Sequence, residues 1–311
     1  QRHRYKLELS HYTGKEIYII MISDILEKKE LICSLEVFPP KKTDDVHIVY
    51  KAIDEMKSVE PDFISVTYGA GGGTSKETLA IASYIYNECG IESLAHLTCA
   101  ALTKDQLEDY TKKMNDYGLS NILALRGDKP RDMTDDEFES RYYKHASDLV
   151  SAIDKSFFIA GVCYPEKHPD SITIEEDIEN LKKKIDAGVS MLTSQLFFDN
   201  EKFYRFLDMT DKAGIHIPIL AGIMPITTAK QVTTMVDLSN ASIPPELTDR
   251  INRYRNNPED LKKAGIEYAV MQKLDLIKHG VRGIHLYAMN KPWIAKDFFE
   301  DLVLVGPRGT L

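Results

Sequence analysis

The chain has 311 residues, with 39 Lys+Arg against 48 Asp+Glu and a formal net charge of −9. At 43% hydrophobic and 28% charged it has the composition of a soluble globular protein able to bury a sizeable core. No basic block is present, which argues against nucleic acid as the main partner, and the longest apolar runs, such as Phe157–Cys163, are far too short to span a bilayer.

Residues 1–20 read as an extension outside the fold. They carry basic residues, but Ile17–Ile22 is too short for a signal-peptide core, whereas Met21 is followed by a polar helical start at Ile22–Glu27. Eight short apolar, β-branched runs then recur: Cys33–Phe38, Phe63–Tyr68, Ser93–Cys99, Ile122–Arg126, Phe157–Tyr164, Met191–Phe198, Ile217–Ile223 and Gly283–Met289. Segments of helical period follow them near 44–59, 74–89, 103–117, 138–154, 173–187, 199–213, 228–239 and 259–280, with a last one at 292–303. Thr103-Lys-Asp-Gln106 is a capping box, and Gly118, Gly188 and Gly214 sit just past helix ends. The Pro-rich stretch at 243–245, with Arg253–Pro258, reads as a helical insertion before the eighth strand, and Gly306–Leu311 reads as a tail.

Eight βα units without a composition break predict an α/β fold, a single (β/α)8 barrel over 21–305, rather than a doubly wound sheet, which uses fewer strands and leaves a split near its middle. The four cysteines, at 33, 89, 99 and 163, form no CxxC and no His/Cys ladder. Three lie in strand-like runs as small buried hydrophobes, which fits a cytoplasmic protein and offers no zinc site.

In such a barrel the chemistry sits where the strands end. The ends here are polar: Glu36, Thr67-Tyr68, His96 and Thr98, Arg126-Gly-Asp128, Tyr164-Pro-Glu-Lys-His168, Gln195, and Tyr287 with Asn290-Lys291. Each has a plainer reading. Glu36 could pair with a lysine, Arg126 and Asp128 could form an ion pair across a turn, His96 and His168 could be satisfied core or loop histidines, and Gln195 could cap a helix. Gly69-Ala-Gly-Gly-Gly-Thr74 could cradle a phosphate or simply make a tight turn; it does not match G-x-G-x-x-G. There is no P-loop, HExxH, nucleophile elbow or paired set of metal carboxylates, so no metal is expected.

Taken together, Leu35-Glu-Val-Phe-Pro-Pro40, Val66-Thr-Tyr-Gly-Ala70, His96-Leu-Thr-Cys99, Leu123-Ala-Leu-Arg-Gly-Asp128, Ala146-Ser-Asp-Leu149, Tyr164-Pro-Glu-Lys-His-Pro169, Gln195-Leu-Phe-Phe198, Gly222-Ile-Met-Pro225 and His285-Leu-Tyr287 resemble the methylenetetrahydrofolate reductase family, flavoenzymes of one-carbon metabolism. The resemblance runs from about Ile32 to Phe299. It implies a barrel that holds FAD without a Rossmann fold and works by ping-pong: NADH or NADPH reduces the flavin, and methylenetetrahydrofolate then takes the hydride to become 5-methyltetrahydrofolate.

By matching positions, the resemblance makes Glu36 the acid that promotes opening of the substrate's five-membered ring, and Asp128 the carboxylate beside flavin and pterin. It implies substrate contacts at Gln195, Gln231 and Lys291. It implies FAD contacts at Thr67, Tyr68, Ala70, His96, Arg126, Gly127, Asp128, Ala146, Tyr164, His168, Asp177, Asn180, Lys183 and Lys184. The chemistry agrees: the ring-opened iminium is a cation that a carboxylate stabilises, and a glutamic acid can donate near neutral pH where burial favours its neutral form. Asp177, Asn180 and Lys184 share a helix face with Lys183 beside them, which without the family reads as solvated charge and with it as a pyrophosphate site.

Two departures stand out. Asn290-Lys291 replaces the Asn-Arg of many bacterial members, giving a point charge for the folate tail in place of a fork. The loop Lys129–Tyr143 is longer and more acidic than in compact bacterial relatives. The resemblance also leads us to expect no C-terminal regulatory domain, hence no inhibition by S-adenosylmethionine through one, and a homo-oligomer. Competing readings are another FAD barrel such as a proline dehydrogenase, or a flavin- and folate-holding subunit that passes electrons to a partner protein in a larger complex.

Overall fold

Each strand places one set of side chains inward and the alternate set outward, and the two sets form separate cores. In the computed structural model, which describes residues 21–40, 45–68, 75–130 and 132–304, eight parallel strands close into a barrel in sequence order. They are β1 (Ile32–Val37), β2 (Phe63–Val66), β3 (Glu92–Thr98), β4 (Asn121–Leu125), β5 (Phe158–Cys163), β6 (Met191–Ser194), β7 (Ile219–Ile223) and β8 (Gly283–Tyr287). Cys33, Leu35 and Val37 of β1 join the large outer core under the helices, whereas Ile32 joins an inner cluster with Phe63, Leu94, Leu123, Phe158, Met191 and Leu220. The period-2 alternation of a strand therefore decides which residues line the lumen.

The helices are α1 (Ile22–Lys28), α2 (Val46–Met56), α3 (Ser75–Ser83), α4 (Lys104–Asp116), α5 (Asp135–Glu139), α6 (Ala146–Ala152), α7 (Ile174–Ala187), α8 (Asn200–Lys212), α9 (Ala229–Ser239), α10 (Pro245–Tyr254), α11 (Pro258–Lys278) and α12 (Pro292–Leu304). The Thr103/Gln106 capping box opens α4 as expected. Helix α10 is the insertion expected before β8, opening with Pro245 in its first turn. The single helix expected over 138–154 is instead two. Thr134 and Glu137 cap the short α5, the Arg141 guanidinium then takes up the carbonyls of Phe138 and Lys144, and the Asp148 carboxylate accepts the N–H groups of Lys144 and His145 to start α6 afresh. Several strands are also shorter than their apolar runs at the C-terminal end, β6 stopping at Ser194 rather than Phe198.

Helix α1 closes the N-terminal mouth. Ile22 is fully buried against the inner cluster, and its N–H donates to Asn121 Oδ1 at 3.1 Å. Burial of such a side chain contributes about 1.5–3 kcal/mol. Among the described residues that end is plugged, which leaves the C-terminal rim for a site. The extension over 1–20, the tail over 306–311 and the glycine-rich turn, including Ala70, lie outside the described residues. No helix among the described residues is long and apolar enough to cross a membrane.

Candidate active site

Strand registers fix what meets what inside the lumen. Glu36 pairs with Ser65 and with Tyr287, Ser34 and Gly222 pair with His285, His96 with Leu123, and Val162 with Thr193. With the stagger of an eight-stranded barrel, these pairings stack the inward residues in layers of four from alternate strands. Glu36, His96, Val162 and Gly222 form one layer. Ser65, Leu123, Thr193 and His285 form the next one down, and the apolar floor lies beneath. The upper half of the lumen is polar, the lower half is not.

Glu36 stands at the centre of this polar half. Its Oε2 is 3.7 Å from His96 Nε2 and 3.7 Å from His285 Nε2, and its side chain keeps 18% of its exposure. His285 is held from the other side by Ser34 Oγ, 2.8 Å from Nδ1. Burial drives the His96 pKa down to about 4 despite the neighbouring carboxylate, so its ring is neutral at ordinary pH. Tyr287 rises well above its ordinary value, first through burial and then through Glu36, and its hydroxyl donates to the Ser194 carbonyl at 2.8 Å. Gly222 leaves room for that contact: a Cβ there would lie 2.3 Å from Ser194 O and 2.8 Å from the Tyr287 ring. Asn290 closes the rim between β8 and β1, accepting from the Phe38 N–H and donating to the Phe38 carbonyl.

The opposite side of the rim holds an ion pair. Arg126, one residue past β4, pairs with Asp170 at 2.7 Å. Gly127 takes φ 78°, and a Cβ there would lie 2.8 Å from Thr98 Cβ, so the backbone passes close to its neighbour. Tyr164 and His168 meet edge to face with centroids 4.6 Å apart. Thr67 and Tyr68 are half-buried at the end of β2, Asp128 is exposed beyond β4, and Ala146 is the first residue of α6.

Other expected residues are occupied locally. Asp177 accepts from the His168 N–H and from Ser171 Oγ, which ties down the loop after β5. Lys184 lies inward and donates to Val162 O at 2.7 Å, with its pKa lowered by burial. Lys183 and Asn180 are exposed and bond to each other. Gln195 Oε1 accepts from the Leu196 N–H, and Gln231 bridges Thr227 and the Pro225 carbonyl. Lys291 is exposed at the rim.

The structure thus brings Glu36 and His96 together and sets Arg126 beside Tyr164 and His168, while Lys183 and Asn180 stay on the outer face of α7. Ser34, His285 and Asp170 were missed as site residues; the inward phase of β1 and β8 signals the first two. No metal-binding cluster occurs among the described residues.

A (β/α)8 barrel with one plugged end and a carboxylate between histidines under the open rim has the form of an enzyme of the barrel class. The comparisons sharpen that. Residues 21–302 match the family model for methylenetetrahydrofolate reductase. The chain is 34% identical over 297 residues to "Methylenetetrahydrofolate reductase (NADH) 1" of Arabidopsis thaliana, covering 91% of this chain and 50% of that protein. It is 34% identical over 260 residues to the 5,10-methylenetetrahydrofolate reductase of Escherichia coli, covering 83% of this chain and 86% of that one. The chain belongs to the methylenetetrahydrofolate reductase family. It spans half the length of the plant relative and most of the bacterial one. Among solved structures, an uncharacterized Clostridium thermocellum protein that binds two copies of 5-methyl-5,6,7,8-tetrahydrofolic acid superposes with a TM-score of 0.62 at 15% identity, covering 92% of this chain and all of that one, which shows the shared barrel.

Proposed function

We propose that the chain reduces 5,10-methylenetetrahydrofolate to 5-methyltetrahydrofolate, with hydride from NADH or NADPH carried by FAD. The observation that carries this reading is Glu36, an inward carboxylate between two buried histidines beneath the C-terminal rim of the barrel, in a chain of this family. The residues present fit a flavin dinucleotide. Arg126 offers a partly exposed guanidinium to a phosphate, and Thr67, Tyr68, Tyr164 and His168 border the same opening. When bound, FAD supplies the two-electron carrier between nicotinamide and folate.

In this account Glu36 supplies the proton to the departing ring nitrogen of the folate, with His96 and His285 on either side of its carboxyl. The Asp128 carboxylate stabilises the cationic iminium at the rim, where little water remains once ligands are bound. Gln195 and Gln231 exchange their loop bonds for the pterin, and Lys291 attracts the anionic folate tail as a point charge. Arg126 exchanges Asp170 for a phosphate of the cofactor, with Gly127, Ala146 and His168 lining its path. Asp177 holds the loop that presents His168, and Lys183, bonded to Asn180, stays outside the site.

Identifying the chromophore released from purified protein on denaturation tests the cofactor directly. FAD is expected; FMN, or no flavin uptake on reconstitution, contradicts the proposal.

A further inference from the structure

The lumen beneath Glu36 contains polar groups that no protein atom satisfies. Ser65, Thr193 and His96 are 0%, 3% and 6% exposed. Among the described residues, Ser65 Oγ, Thr193 Oγ1 and His96 Nε2 have no hydrogen-bond partner. All three lie in the two polar layers. Ser65 is the register partner of Glu36 on the neighbouring strand, and His96 is on the strand after that, so Ser65 Oγ, His96 Nε2 and the Glu36 carboxylate share one wall. Thr193 is on β6, across the lumen, where its register partners are Val162 of β5 and Leu220 of β7.

We infer that ordered water occupies the lumen beneath Glu36, held by Ser65 Oγ and His96 Nε2 on one wall and by Thr193 Oγ1 on the other. An unpaired hydroxyl or imidazole nitrogen in a sealed interior is costly, and native proteins satisfy such groups with buried water. A water needs two to four polar partners, and this half of the lumen offers hydroxyls, imidazoles and a carboxylate within two adjacent layers. Burial keeps His96 neutral, so its Nε2 is either a donor or an acceptor, and water satisfies both. The apolar floor of Phe63, Leu94, Met191 and Leu220 stops the water from draining towards the plugged end.

The water gives the Glu36 carboxyl a hydrogen-bond partner on its inner side, which holds it in position as substrate covers its outer side. Ser65 and Thr193 are in this view positioning residues. The hydration site stands on the lumen geometry alone; only its effect on catalysis rests on the reductase reading.

The test is a crystal structure of the intact protein at high resolution, combined with Ser65→Ala and Thr193→Val. Water density within hydrogen-bonding distance of both hydroxyls is expected, with the adjacent peak lost in each variant. Each variant should also melt lower, by about 2–4 °C for one lost hydrogen bond in a domain of this size. A dry lumen predicts the reverse: no density, and variants that melt higher because an unsatisfied hydroxyl has been removed. That result overturns the inference, as does a bound ion in place of water. In stopped-flow, Ser65→Ala should slow folate reduction several-fold and leave flavin reduction unchanged. Water with no folate reduction in the parent protein would instead retain the hydration site and remove the reductase reading.

Discussion

The Asp170 carboxylate lies 2.7 Å from the Arg126 guanidinium, joining the loop after β5 to the end of the neighbouring β4. Arg126 holds the Asp170 carboxyl below its ordinary pKa, chiefly through their hydrogen bond. In the proposed function the same guanidinium is offered to a cofactor phosphate, so the carboxylate and the phosphate would compete for it.

Asp170→Asn should therefore tighten flavin binding. Exposed ion pairs are worth about 0.2–1 kcal/mol, so a gain of about 1.5- to 5-fold in affinity is expected. Titration of the apoprotein with FAD, followed by quenching of flavin fluorescence, measures it. Weaker binding would show that Asp170 serves the loop rather than restraining Arg126.

Glu92 carries a pH dependence of stability. It lies at the plugged end, where burial pushes its carboxyl up to about 7 against the bond from Asn121 Nδ2, and Asp24 adds to the rise. A folded-state pKa above the unfolded value means that the protonated form is favoured by folding. Its contribution is full below the unfolded pKa and is lost as pH rises through about 7. Glu92→Gln should remove that dependence and be more stable than the parent at pH 8, by on the order of 1–3 kcal/mol. Paired denaturant melts at pH 5 and pH 8 give the comparison. Parallel pH profiles for the two proteins would reject it.

Gly222→Ala tests the packing that supports the rim. The added Cβ would collide with Ser194 O, a backbone atom, and with the Tyr287 ring, so a strand or the Tyr287–Ser194 bond must move. Overpacking of this kind costs about 1–3 kcal/mol or more. Thermal melting should show a clear loss of stability. An unchanged melting temperature would mean that β6 and β8 yield freely there.

Much of this molecule is legible in its sequence, and the losses have physical causes. The β-branched runs and capping signals mark all eight strands because each buries two faces, and Glu36 stands out as a charge between Leu35 and Val37. His285 does not stand out: its partner Ser34 is 251 residues away, and only closure of the barrel puts β8 beside β1. Helical spacing groups Asp177, Asn180 and Lys184 but cannot fix how the helix is rotated. Burial of Ile178 and Leu181 fixes it, turning Lys184 inward and leaving Asn180 and Lys183 outside. The break between α5 and α6 depends on the reach of Arg141 and Asp148, which no periodicity reports.

The account turns on Glu36 as the acid of the folate half-reaction, and stopped-flow absorbance under anaerobic conditions tests it most directly. Parent protein should bleach its flavin on mixing with NADH or NADPH, and regain the colour when methylenetetrahydrofolate is added. Glu36→Gln preserves size and hydrogen bonding but cannot supply a proton. Its flavin should bleach at a near-normal rate, while recovery with the folate slows by about 10²–10⁴-fold, the range for a lost general acid. Equal slowing of both halves would make Glu36 a flavin-positioning or structural residue, and normal recovery in the variant would contradict the account outright.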